Sequence, residues 1–327
     1  MLIETKGLKK VFKSRGKAVE AVRGVDLSVK EGEIFGLLGP NGAGKTTTMR
    51  MLSTLIEPTE GQVSVCGHDL ASDPAAVRRD IGYVGQEGGT WGEVTAREEL
   101  IMQGRLYGMS KKQSSARAEE VLESFQLSEF AGRTVKTYSG GQKRRLDIAL
   151  GIMHQPKILF LDEPTTGLDP QSRAHMWDEV RSLRERGTAI FLTTHYLDEA
   201  DALCDRLAII DNGEIVTEGT PLELKKEVAG DVVAIGLTGN AADAADLLRP
   251  KDFIREIEAG EADPTTEVAI LRMYVDDGAA ALPELLRLLD GAAKDGADIA
   301  IASIELHRPS LDDVFLKQTG RSLREEN

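Results

Sequence analysis

Eight consecutive residues, GPNGAGKT at 39–46, place three glycines, a lysine and a hydroxyl in the pattern G-x-x-x-x-G-K-[ST]. Glycines at these positions let successive backbone N–H groups turn inward around phosphate oxygens. Lys45 then reaches the β- and γ-phosphates of a bound nucleotide, and the Thr46 hydroxyl sits on Mg²⁺. A second stretch, KILFLDEP at 157–164, sets Asp162 and Glu163 side by side behind four apolar residues. Asp162 suits the metal side of such a site, and Glu163 suits activation of water. A chain that only bound nucleotide would have no need of Glu163. His195 closes AIFLTTH, either as a polar contact to a γ-phosphate or as a structural hydrogen-bonder. Gln86, in IGYVGQEGG, offers an amide that could ligate Mg²⁺ or orient water. Phe12, upstream, either stacks on a base or packs in a core. Finally, SGGQ at 139–142 opens another helix whose free N–H groups attract anions. The chain thus carries two phosphate cradles about a hundred residues apart.

These residues need an open sheet to bring them together. EIFGLL (33–38), KILFL (157–161) and TAIFLT (188–193) are continuous apolar runs of strand length, suited to strands buried on both faces. Helical patterns separate them, which predicts an α/β core. A buried strand before GPNGAGKT and a helix through TTTMRMLSTLI after it give that motif its required context. Asp162 falls at the carboxyl end of its strand, where open α/β sheets bind ligands. Asp169-Pro170 starts a helix with Met176, Val180 and Leu183 on one face. Thr95 and Glu98 form a capping box for another. Asn-Gly in AIIDNGEIV marks a hairpin.

From residue 228 the texture changes. DVVAIGL, EVAILRMYV and DIAIASIEL read as strands, LPELLRLLD as a helix, and Ser310 with Asp313 boxes a last short helix before Gly320. The reading is a nucleotide-binding domain over 1–226, with a helical part at about 87–155, and a small α+β domain over 229–327.

Of 327 residues, 41% are hydrophobic and 29% charged, as in a soluble globular protein. No run has the length of a transmembrane helix, and MLIETKGLKK lacks the apolar core of a signal peptide. Net charge is −14, and residues 229–327 hold 20 acidic against 10 basic groups. That balance disfavours nucleic acid and anionic lipid as partners. Cys66 and Cys204 stand in no metal or redox spacing and read as reduced, buried thiols.

Taken together, the motifs resemble those of the ATP-binding cassette (ABC) ATPases. GPNGAGKT looks like the Walker A motif, ILFLDEP like Walker B and SGGQ like the family signature. Gln86 matches the Q-loop, GLD at 167–169 the D-loop and His195 the H-loop. The order and separations are those of the family from Phe12 to Gly213. DEPTTGLDPQSRAHMW, TTHYLDEADALCDRLAIIDNGEIVTEGTP and SLDDVFLKQTG are further similar to the daunorubicin-type resistance exporters, which energise separate ABC-2 membrane subunits. Gln142 and Lys143 depart from that subgroup, where Met and Arg are common.

The resemblance implies a P-loop fold of ABC type with a helical signature subdomain. It implies ATP bound by Phe12, Gly39, Pro40, Asn41, Gly42, Ala43, Gly44, Lys45, Thr46 and Thr47. Mg²⁺ would be held by Thr46, Gln86 and Asp162, with Glu163 and His195 catalytic. It also accounts for the second cradle. Two cassettes meet head to tail, and Ser139, Gly140, Gly141 and Gln142 face the ATP of the partner copy, with Asp169 in the D-loop. The expected place is the cytoplasmic face of the membrane, against a polytopic subunit that receives the region of Thr90, Trp91 and the helix from Thr95. Trp91 reads equally as a contact or as a packed core residue. The competing class is a soluble ABC ATPase acting on DNA, ribosomes or Fe–S assembly. Against it stand the single cassette, the lack of a heptad run between Lys45 and Tyr138, and the acidic tail.

Overall fold

The computed structural model describes residues 1–14, 17–228, 230–260 and 268–320. Two compact units divide the chain, Met1–Pro221 and a second that begins at Leu222. A six-stranded sheet organises the first. Its strands run in the order Glu214–Gly219, Arg206–Asp211, Ile34–Leu38, Ala189–Thr194, Ile158–Asp162 and Ile81–Val84. All neighbours are parallel except the hairpin at the Glu214–Gly219 edge. Asn212 and Gly213 close that hairpin with φ of 47° and 83°, the left-handed pair that matches strand twist.

The three middle strands are buried at every residue, as continuous apolar runs require. Phe191 lies 5.7 Å from Phe35 and 5.6 Å from Phe160, ring centre to ring centre. A second sheet, antiparallel, runs in the order Lys17–Val29, Ile3–Ser14, Glu60–Val65 and His68–Asp69. It has no counterpart among the apolar runs read from sequence. Ile3, Leu8 and Val25 from it share one core with Phe35 and Phe160.

Between Ile81–Val84 and Ile158–Asp162 the chain forms three α-helices, Ala96–Leu106, Lys111–Ser124 and Gly140–Gly151. Each begins in a capping box, Thr95 with Glu98, Ser110 with Gln113 and Ser139 with Gln142. The helix after the first cradle is shorter than expected, Lys45–Leu52, because Thr54 turns the chain with φ of 63°. The cysteines are free; Cys204 is buried, but Cys66 is only half-buried.

The second unit has its own antiparallel sheet in the order Ile254–Ala259, Val268–Val275, Asp231–Gly239 and Ile299–His307. Val233, Ile235, Leu271 and Met273 from the sheet pack with Leu285 and Leu289 of the helix Gly278–Lys294. That helix starts before the expected LPELLRLLD, because Asp277 caps it from Ala279 and Ala280 N–H. The helix Ala241–Leu248 and the strand Ile254–Ala259 were not anticipated. The helix Leu311–Thr319 is capped by Ser310 and Asp313 as read, and ends at Gly320 with φ of 77°. Residues 229, 261–267 and 321–327 of the expected second domain lie outside the described residues.

Candidate nucleotide site

Strand register assembles the site. Leu38 pairs with Thr194, Thr193 with Asp162, and Leu161 with Val84. Four parallel strands therefore end abreast, and the residues that follow, Gly39, His195, Glu163 and Gly85, emerge along one edge. This is where an open parallel sheet collects a ligand.

Gly44 caps the helix Lys45–Leu52 in a left-handed conformation, φ 105°, with no side-chain cap. A side chain there would meet the Ala21 carbonyl, so glycine is required on both counts. Lys45, 4% exposed, donates from Nζ to the Gly39 and Pro40 carbonyls at 2.7 and 2.9 Å. Its Nζ also lies 3.5 Å from Glu163 Oε1. Burial pushes its pKa down, against the pull of Glu163 and Asp162. Thr46 and Thr193 hydroxyls donate to the same Asp162 oxygen, Oδ1, at 3.0 and 2.6 Å. Oδ2 of Asp162 is buried without a partner.

Glu163 takes a left-handed backbone, φ 46°, a strained choice for a non-glycine residue. Its N–H bonds to Thr193 O and Oγ1, and Thr166 Oγ1 donates to Oε2 at 3.3 Å. His195 Nδ1 lies 3.2 Å from Oε1. Burial raises the Glu163 pKa, but His195, Lys45 and Thr166 outweigh it and hold the carboxyl below its ordinary value. An ionised carboxylate between an imidazole and an ammonium is suited to accepting a proton from water.

Asn41, Gly42, Gly44, Lys45, Thr46, Thr47, Gln86 and Glu163 line one cavity of ≈ 260 Å³ with Ala21. Gly39, Pro40 and Ala43 are buried beneath it. Phe12 is not among the lining residues. It is 43% exposed, with Lys10 Nζ 5.3 Å from its ring centre, so the core-packing alternative does not hold.

The signature residues stand apart. Ser139 Oγ accepts from Gln142 N–H, and Gln142 Oε1 accepts from Ser139 N–H at 2.9 Å. The N–H groups of Gly140 and Gly141 make no hydrogen bond among the described residues, and Ser139 and Gly140 are exposed. Asp169 caps Pro170–Glu185 through Ser172, and a side chain at Gly141 would come into contact with Ser172 Oγ. The reading from residue types did not single out Arg144. It is buried, and donates to the Pro164, Gly85 and Asp162 carbonyls at 2.9, 2.6 and 3.1 Å. Its signal was present as a cation on the second turn of the helix Gly140–Gly151, on the face that buries Ile148 and Gly151.

A larger cavity, ≈ 560 Å³, is lined by Leu55, Trp91, Met102, Leu106 and Tyr107, with the carboxylates Glu99 and Asp147. Trp91 is 60% exposed, so it is a surface residue. Glu99 Oε1 accepts from Trp91 N–H at 2.8 Å, and burial, then Asp147, lift its pKa to about 6. Asp147 Oδ1 accepts from Gly89 N–H at 2.9 Å. No helix among the described residues is long and apolar enough to cross a membrane.

Comparison with known proteins gives the family. Residues 22–166 match the family described as ABC transporter. Residues 219–319 match that described as ATP-binding protein DrrA1-3-like, C-terminal domain. The daunorubicin/doxorubicin resistance ATP-binding protein DrrA of Streptomyces peucetius is 45% identical over 97% of this chain and 92% of its own length. The linearmycin resistance ATP-binding protein LnrL of Bacillus subtilis (strain 168) is 37% identical over 99% of this chain and 100% of its own. Among solved structures, the ATP-binding cassette MJ0796, in a dimeric post-hydrolysis state bound to ADP and Pi, has a TM-score of 0.62 at 28% identity. The likeness covers 67% of this chain and 98% of that one. With both of its units matched and relatives aligned over nearly its whole length, the chain belongs to the ABC transporter ATP-binding proteins of the daunorubicin/doxorubicin resistance type, and is an ATPase.

Proposed function

We propose that this ATPase powers an exporter by closing on itself as a head-to-tail homodimer. The observation that carries the reading is the helix Gly140–Gly151. Its exposed tip has unpaired N–H groups at Gly140 and Gly141, and the cavity of its own Lys45 does not include it. The dipole and N–H groups of that tip favour an anion, and the γ-phosphate held by a second copy supplies one. Each ATP would then lie between residues 39–47 of one copy and Ser139, Gly140, Gly141 and Gln142 of the other, with Phe12 stacking on adenine and Asp169 at the junction.

Within each site Glu163 accepts the proton of the attacking water, and His195 holds both the carboxylate and the γ-phosphate. Asp162, with its unpartnered Oδ2, Thr46 and the Gln86 amide are an all-oxygen donor set that suits Mg²⁺. The ion, when bound, neutralises charge on the β- and γ-oxygens. Lys45 exchanges its carbonyl partners for phosphate oxygens.

The cavity around Trp91 receives a helix of a polytopic membrane subunit of ABC-2 type, which places the ATPase at the cytoplasmic face of the membrane. Five of its lining side chains, Leu55, Trp91, Met102, Leu106 and Tyr107, are exposed large hydrophobics, more than a free surface ordinarily gathers in one place. An amphiphilic drug or similar small molecule is the cargo, in keeping with the drug named for the Streptomyces relative. The two-unit division between Pro221 and Leu222 supports a nucleotide-binding domain followed by an accessory domain. Gentle detergent extraction of the tagged protein, with mass identification of what co-purifies, tests the reading. A polytopic membrane protein in stoichiometric amount supports it; ribosomal, chromosomal or Fe–S assembly proteins in its place would overturn the exporter.

A further inference from the structure

Arg144 joins two loops that the sequence separates. Its guanidinium, on the second turn of the signature helix, donates to the carbonyls of Pro164, Asp162 and Glu163 on one side and Gly85 on the other. The left-handed backbone of Glu163, φ 46°, marks the turn whose carbonyls this one side chain gathers. Gly85 is the residue before Gln86. One helical turn past Arg144, Asp147 accepts from Gly89 N–H. The segment that carries Gln86 is thus tied at both ends to the helix whose tip is Ser139. A buried guanidinium with its donors spent on backbone carbonyls cannot shift without moving those backbones.

We propose that Arg144 is a positioning residue for hydrolysis. It sets the Glu163 carboxylate and the Gln86 segment of its own copy in the frame of the signature helix. This rests on the head-to-tail dimer proposed above.

Pairs of defective chains test it. Arg144→Met should lower kcat about 100-fold, as misplacement of a reacting group by about 1 Å does, with the Kd for ATP within twofold of the parent. Gly141→Asp puts a carboxylate against the partner's γ-phosphate and silences the opposite site. Mixed one to one, the two variants form dimers in half the cases, each with one competent site, so turnover should recover to about a quarter of the parent. The control mixture, Glu163→Gln with Gly141→Asp, should recover equally. Recovery in the control without recovery for Arg144→Met overturns the proposal, since Arg144 would then serve only its own helix tip. Parental kcat in Arg144→Met overturns it also. No recovery in the control removes the head-to-tail dimer of independently working sites, and the proposal with it. Arg144→Lys, which keeps the charge but reaches fewer carbonyls, takes the same mixture if the Met variant fails to fold by thermal melting.

Discussion

Two helices of this protein begin with glycine and end differently as binding sites. The helix Lys45–Leu52 starts at Gly44 with no side-chain cap. Its first residue turns back to the Gly39 and Pro40 carbonyls, within 3.5 Å of Glu163. The helix Gly140–Gly151 starts with a complete Ser139–Gln142 box and an exposed tip. Both ends offer backbone N–H groups to an anion. Only the first also gathers a cation, a metal-side carboxylate and a base. In the proposed dimer the first is the site of chemistry, and the second is a charge-complementary lid for the partner copy's phosphate. Glycine-rich starts therefore say where an anion can sit, and the groups wired to them say what happens to it.

The largest effect should come from breaking the chemistry of the first end alone. Glu163→Gln keeps the carboxylate's size and one acceptor oxygen but takes up no proton, so kcat should fall by about 10²- to 10⁴-fold. ATP binding should persist, and a dimer should accumulate in size-exclusion chromatography with ATP. Parental turnover would remove Glu163 as the base. Lys45→Ala should weaken ATP itself, by about 10- to 100-fold in Kd for loss of charge-assisted bonds. Isothermal titration reads this, and the same measurement on Gly141→Asp monomers should show no change. Equal losses would erase the distinction between the two ends.

The contrast extends to carboxylates. Glu163 is held low by His195 and the Lys45 ammonium, whereas Glu99, buried with no cation against it among the described residues, has its pKa raised to about 6. A raised acid is unstrained while protonated. It costs stability as pH climbs from the unfolded value near 4.5 through 6, and the cost then stays constant. Glu99→Gln should therefore stabilise the fold at pH 7–8 by about 2 kcal/mol and not at pH 4. Chemical denaturation at both pH values decides it; a gain independent of pH would point to packing instead. The smallest effect should be at the second end. Gln142→Ala removes half of its capping box and should cost about 0.5–1 kcal/mol with monomer ATP affinity unchanged. A loss of affinity would mean that the tip serves its own nucleotide.

Much of this was legible beforehand because local chemistry demanded it. The runs around Phe35, Phe160 and Phe191 could only be doubly buried strands, and the Asp169-Pro170, Thr95 and Ser310 helix starts satisfy their own N–H groups. The antiparallel sheet of Ile3–Ser14 and Lys17–Val29 escaped notice because its strands mix charged and apolar residues, and pairing across sequence decides them. The strand Ile254–Ala259 alternates weakly, with only Ile254 and Ile257 partly buried, and becomes a strand by lying against Val268–Val275. Phe12 and Trp91 were ambiguous, since an aromatic side chain suits a core and a contact equally until its exposure is known.

By itself the sequence determined the motif chemistry: glycines that free N–H groups, a lysine and hydroxyl for phosphate and metal, an acid pair, and a capped second cradle. Those are properties of residues within a few positions of one another. The tertiary structure alone decided that Leu38, Thr194, Asp162 and Val84 end abreast, that Lys45 and His195 converge on Glu163, and that Arg144 ties Gly85 to residues 162–164. Such contacts span tens to more than a hundred residues. They follow from strand register and from the requirement that buried donors find acceptors, which no local pattern encodes.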